Sequence, residues 1–122
     1  DLSGWEVVRG NVDWQVRDGA IYAPGGDGYL LHEAVCEDFD LSLYTRTTPA
    51  ANGGIFFRWP LDRGYDRPNR GHEIQILDVH GAPMITGSIY GYERGDDLAL
   101  TPGAWTLLQV QVRGDQARTW LN

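Results

Sequence analysis

The segment Gly71-His72-Glu73-Ile74-Gln75-Ile76-Leu77-Asp78 holds the residues best suited to chemistry. A carboxylate such as Glu73 can serve as a general base, and an amide two positions away can orient a polar ligand. In extended backbone, Ile74 and Ile76 point to one face, which must be the core. Glu73 and Gln75 then share the other face. Asp78 falls on the isoleucine side unless a β-bulge near Ile76-Leu77 returns it to the face of Glu73. Without a bulge it simply ends the strand, where Asp is a frequent turn former.

Other residues surround this segment in the sequence. Arg58 shares a face with Phe56, opposite Ile55 and Phe57. A planar guanidinium beside an aromatic suits sugar hydroxyls or a carboxylate, and a surface Arg paired with a nearby acid would look the same. Ser88 and Tyr90 lie opposite Ile89, so Tyr90 could stack on a sugar or donate a proton, or merely line a sheet face. His72 and His80 bracket the acidic strand. With Glu73 or Asp78 they offer donors for a divalent metal ion, but no tight metal-ligand spacing is present and no metal ligand is assigned. Trp59, entering a polar loop, is the better sugar platform, whereas Trp105 flanks an inward row and reads as structural. His32 beside Glu33 reads as surface. Arg-Gly-Asp occurs at 94–96 and 113–115, the second where a hairpin turn wants Gly-Asp anyway, and a string this short specifies no partner.

These side chains must be carried by strands. Sixteen Gly and six Pro run through the whole length, leaving few windows for a helix. At most one helical turn fits around His32–Cys36. Phe39–Thr45 alternates apolar and polar residues, the period of a strand. Val12–Arg17 and Ala20–Ala23 flank Asp18-Gly19, a favoured two-residue hairpin turn. Leu107–Arg113 and Gln116–Leu121 flank Gly114-Asp115 in the same way. Gly53–Trp59, His72–Asp78 and Met84–Tyr92 complete a set of roughly nine short strands, which predicts an all-β sandwich or barrel and not an α/β fold, with an antiparallel sandwich of two sheets as the expected arrangement. Ile55, Phe57, Ile74, Ile76, Ile89, Leu108, Val110 and Val112 are the expected core. Pro60–Gly71 reads as a long polar loop, of a length usually functional or mobile.

Composition sets the outer limits. With 122 residues the chain fits one domain, 1–122, and its 42% apolar content suffices for a core without staples. The lone Cys36 cannot form an internal bridge and reads as a small buried hydrophobe. All ten basic residues are Arg, so no lysine is available for a Schiff base or a Walker loop. The net charge of −7 argues against nucleic acid, which needs a basic patch. No apolar run approaches the roughly 20 residues of a membrane span. Asp1-Leu2-Ser3-Gly4 does not read as a signal peptide, as expected of either a mature secreted protein or a cytoplasmic one.

The segment Gly71–Asp78, read with Asn52-Gly53-Gly54-Ile55-Phe56-Phe57-Arg58 before it and Thr86-Gly87-Ser88-Ile89-Tyr90-Gly91 after it, resembles the 3-keto-disaccharide hydrolase family. Leu2-Ser3-Gly4-Trp5, Asp38-Phe39, Gly103 with Trp105, and Trp120-Leu121-Asn122 support the likeness, which covers nearly the whole chain. In that family an acid is usual where Tyr44 and Ala104 stand, and one or two further strands usually follow the position of Asn122. The resemblance implies a concanavalin/lectin-like jelly roll, here expected to be truncated at its C-terminus, and a secreted or periplasmic setting. It also implies cleavage of glycosides oxidised to a ketone at C3. A base removes the acidified C2 proton, the enolate expels the C1 substituent, and water adds back. On this reading Glu73 or Asp78 is the base, Arg58 (or a metal held with His80) the electrophile, and Tyr90 or His72 the proton donor. Gln75, Trp59, Ser88 and His72 would contact the carbohydrate ligand.

The same strand also looks like the Glu-x-Asp-x-x-Glu strand of retaining β-glucanases. Gln75 and the shorter Asp78 replace two of those acids, a poor match to carboxyls roughly 5–5.5 Å apart. Two readings from other classes stand beside the enzyme. One is a non-catalytic carbohydrate-binding domain using Trp59, Tyr90 and Gln75; the other is a structural or interaction fragment. A chain stopping at Asn122 is expected to leave Leu108 and Val110 poorly covered, or to leave a strand edge open to a second copy.

Overall fold

A computed structural model describes residues 1–49, 51–60 and 71–122, so most of the expected polar loop Pro60–Gly71 lies outside the described residues. The chain divides into two compact units, Asp1–Cys36 and Glu37–Asn122. Among the described residues the elements are strands, apart from a short 3-10 turn at Asp97–Ala99. The helical turn allowed around His32–Cys36 does not form. Cys36 is exposed at the end of the first unit and is not the buried hydrophobe expected of it.

In the first unit, β1 (Trp5–Gly10) pairs antiparallel with β4 (Gly28–His32), and β2 (Gln15–Arg17) with β3 (Ala20–Tyr22). The β2–β3 turn is the Asp18-Gly19 read from the sequence, with both residues at positive φ (50° and 78°). That twist matches the flanking strands, which is why Asp-Gly is favoured there.

The second unit holds the sandwich. One sheet has the order β5-β8-β9, formed by Phe39–Thr45, Thr106–Arg113 and Gln116–Leu121. The other pairs β6 (Gly53–Phe57) with β7 (His72–Ile76). Period-two alternation sends Phe39 and Leu41 of β5 inward beside Val112 and Val110 of β8, their register partners. Ile74, Leu108, Val110 and Val112 form the buried cluster, with Ile55, Phe57, Ile76, Ile89 and Leu121 packed against it. Each fully buried aliphatic side chain of this kind contributes about 1.5–3 kcal/mol relative to exposure.

Two expectations are corrected here. Leu108 and Val110 are fully covered, at 0% and 2% exposure, because Ile74 and Ile55 of the facing β6-β7 sheet and Ile89 pack against their cluster. Among the described residues β5 and β9 are the end strands of this sheet. Met84–Tyr92 is not a regular strand. Gly87 at φ 86° breaks the extended run, and only isolated bridges at Ile89 survive as ladder.

Candidate functional site

β7 places its side chains as alternation requires, with Ile74 in the core and Glu73 and Gln75 on the opposite face. On one side β6 supplies Phe56 opposite Glu73 and Gly54 opposite Gln75. On the other side, residues 86–90 act as an irregular third strand. Gln75 N–H donates to Ser88 O at 2.9 Å, Gly87 N–H to Gln75 O at 3.0 Å, and Tyr90 N–H to Glu73 O at 2.9 Å. The bridge between Ile74 and Ile89 fixes that register, which sets Tyr90 beside Glu73 and Ser88 beside Gln75. Two rows result: Phe56, Glu73 and Tyr90, then Gly54, Gln75 and Ser88.

Burial on this face exceeds what a solvated strand face would show. Glu73 is 8% exposed and Gln75 3%. The Gln75 side-chain amide donates to Asn52 Oδ1 at 3.2 Å. Ser88 Oγ accepts from Ile85 N–H and Gly95 N–H, both at 2.9 Å, so this hydroxyl shapes its own loop. Tyr90 is exposed at the end of its row. Trp59 packs edge-on against Phe56, with centroids 5.2 Å apart and planes at 81°. Glu73, Gln75, Ser88, Tyr90 and, through Phe56, Trp59 therefore gather around one face.

Asp78 lies past the end of β7 and works differently. Its carboxylate accepts from Thr47 Oγ1 at 2.7 Å and from Thr86 Oγ1 at 2.5 Å. Thr86 Oγ1 in turn accepts from Leu77 N–H at 2.9 Å. Asp78 thus fastens the 86–90 segment, which carries Ser88 and Tyr90, to β7 and to the chain following β5. Thr47, Thr86 and Asn52 drew no individual attention in the sequence. Thr86-Gly87-Ser88, a run of small and hydroxyl-bearing residues before Ile89, was the available signal.

Arg58 and His72 stand apart from the Glu73 row. Arg58 takes φ 52°, which ends the alternation that would have left it beside Phe56. Its guanidinium donates to Glu37 O at 3.2 Å and lies 3.6 Å from Asp38 Oδ1. His72 pairs with Phe57 on the opposite face from Glu73, its ring 5.4 Å from Phe57 and 5.7 Å from Tyr92. His80 is exposed, 3.9 Å from Asp97. Asp97 also binds Arg94 at 2.6 Å and accepts from Gly81 N–H, and these contacts hold its carboxyl below the ordinary range. Among the described residues no group of three or more His, Cys, Asp or Glu side chains gathers as a metal site would require.

The sequence model of the 3-keto-alpha-glucoside-1,2-lyase-like domain matches residues 1–122. The chain belongs to this family. Its match spans both compact units, and its jelly-roll type agrees with the all-β sandwich described above. Membership makes the 3-keto-alpha-glucoside-1,2-lyase-like chain a carbohydrate-active domain, whose fitting ligand is a sugar. A comparison with curated proteins gave no match. No helix among the described residues is long and apolar enough to cross a membrane.

Proposed function

We propose that this domain cleaves 3-keto glycosides by elimination, on the face of β7 that carries Glu73. The observation that carries this reading is a carboxylate set between Phe56 and Tyr90 and backed by Gln75, in a chain of the 3-keto-alpha-glucoside-1,2-lyase-like family. Glu73 takes the C2 proton, and the C–H electron pair becomes the enolate of the C3 ketone. Collapse of the enolate forms the C1–C2 double bond and breaks the C1–O bond, with Tyr90 O–H protonating the departing oxygen. Water then adds its oxygen at C1 and gives a proton back to Tyr90, while Glu73 returns its proton to C2, which yields the free 3-keto sugar. Burial of Glu73 keeps the base away from bulk water, which strengthens its polar contacts, while the exposed Tyr90 stays within reach of the ligand. Because Arg58 is engaged with Asp38, it is a weaker choice for the electrophile than it was from sequence alone.

The depth of Glu73 and Gln75 favours a second reading, a carbohydrate-binding domain without turnover, in which the exposed Tyr90 makes the sugar contact. One experiment separates the two. Glu73→Gln is expected to abolish cleavage of a 3-keto glucoside, followed by NMR, with the melting temperature within a few degrees of the parent. Undiminished cleavage removes Glu73 as the base, and a parent protein that binds but never cleaves establishes the second reading.

A further inference from the structure

The two sheets of the second unit share one core, so each has one outward face, and Glu73 stands on only one of them. The other outward face, on β5-β8-β9, carries its own ordered set of side chains. Register places Ser42, Gln109 and Trp120 in one cross-strand row, and Asp40, Gln111 and Arg118 in the next. Tyr44 follows on β5, 65% exposed, and Trp120 is 48% exposed. A recess of about 220 Å³ lies beside them, lined by Gln111, Arg113, Gln116 and Arg118.

We infer that this face is a second carbohydrate-binding surface, which takes a neutral glycan chain with Trp120 as the stacking platform. A pyranose ring offers a flat apolar C–H face and a rim of hydroxyls. An exposed indole in line with an amide and a hydroxyl matches both features at once. The polar groups are also held in place beforehand. Gln109 Nε2 donates to Ser42 Oγ at 3.3 Å, Gln111 Nε2 donates to Asp40 Oδ1 at 3.0 Å, and Arg113 bonds the same Asp40 carboxylate. Side chains already fixed by their neighbours lose little entropy on binding.

Charge argues against a strongly charged ligand, because Arg113 and Asp40 neutralise each other and Arg118, bonded to Gln116, is the one remaining charge of these rows. A protein partner would want a continuous apolar centre. Here Leu107 is the one aliphatic side chain in the rows, and it is half-buried. Trp105 is a poorer platform, since the Arg46 guanidinium already covers its ring at 4.8 Å.

This inference rests on the carbohydrate reading for its ligand class, but not on catalysis at Glu73. The test is native electrophoresis through gels containing dextran, laminarin or xylan. The parent chain is expected to be retarded by at least one of them. Trp120→Ala should weaken the retention about tenfold, with a smaller loss for Tyr44→Ala, while Glu73→Gln is retained like the parent. Gln109→Ala, which leaves the aromatic surface intact, should also weaken retention and guards against a Trp120→Ala chain that fails to fold. Equal retention of the parent, Trp120→Ala and Gln109→Ala overturns the proposal, as does migration unaffected by all three polysaccharides. A drop in mass of Trp120→Ala by light scattering would assign the face to a second copy and overturn it too. Loss of cleavage in Glu73→Gln with retention preserved keeps the two faces distinguishable.

Discussion

The carboxylate of Glu73 lies against Gly54 of the neighbouring strand, so closely that a Cβ at Gly54 would stand 2.6 Å from Glu73 Oε1 and 2.8 Å from its Cγ. The glycine is the space that the carboxylate occupies. Gly54→Ala is therefore expected to push Glu73 out of its row and lower turnover at least about tenfold. Gly53→Ala is the control, since a Cβ there meets nothing within 4 Å. Steady-state kinetics on the two variants checks this, and equal rates would show that the position of Glu73 does not matter to turnover.

Asp78 accepts hydrogen bonds from two threonine hydroxyls on different segments, and its main effect should be on stability. Hydrogen bonds to a charged group contribute about 1.5–3 kcal/mol each, and leaving the hydroxyls unpaired adds to the loss. Asp78→Ala is expected to cost about 2–4 kcal/mol in urea unfolding. Thr86→Val should cost a comparable amount, because Thr86 serves both Asp78 and Leu77 N–H. If Asp78→Ala unfolds like the parent yet loses turnover, Asp78 belongs to the chemistry instead.

Much of the frame was legible in the residues, for local reasons. Alternation in Phe39–Thr45 and the Asp18-Gly19 turn are short-range signals, and the structure reproduces both. The face shared by Glu73 and Gln75 followed from Ile74 and Ile76 in the same way. What could not be read was set by tertiary contacts. The turn of Arg58 toward Asp38 depends on a positive φ in a non-glycine residue, which no local pattern announces. The depth of Glu73 depends on residues 86–90 folding along β7. Met84–Tyr92 misled because its composition is strand-like while Gly87 interrupts the ladder.

Acid should weaken the fold through two carboxyls in particular. Hydrogen bonds from Gln111 and then Arg113 lower the pKa of Asp40 from 3.8, and bonds from Arg94 and then Gly81 N–H lower that of Asp97. A folded pKa below the unfolded one gives stability that is present above the unfolded value and is lost as pH falls through the folded one. Asp97→Asn is thus expected to be less stable than the parent at pH 7, with the gap closing as the pH falls below the ordinary aspartate range. Urea titrations across that range check the sign. A gap that stays constant would mean the Asp97 contacts contribute nothing through charge.

The place of β9 at the end of its sheet, among the described residues, bears on association. Edge strands present backbone groups that can pair with another chain. Concentration-dependent mass in light scattering at micromolar protein is the expected result. A constant monomer mass would mean the edge is adequately protected as it stands.

Cys36 is exposed at the boundary between the two compact units, and the sequence contains no lysine. Thiol chemistry would consequently attach one dye per molecule at a single known address, and no lysine side chain would compete in amine coupling. A fluorophore placed there would report on the surroundings of Cys36 during titration or heating, without any engineered residue.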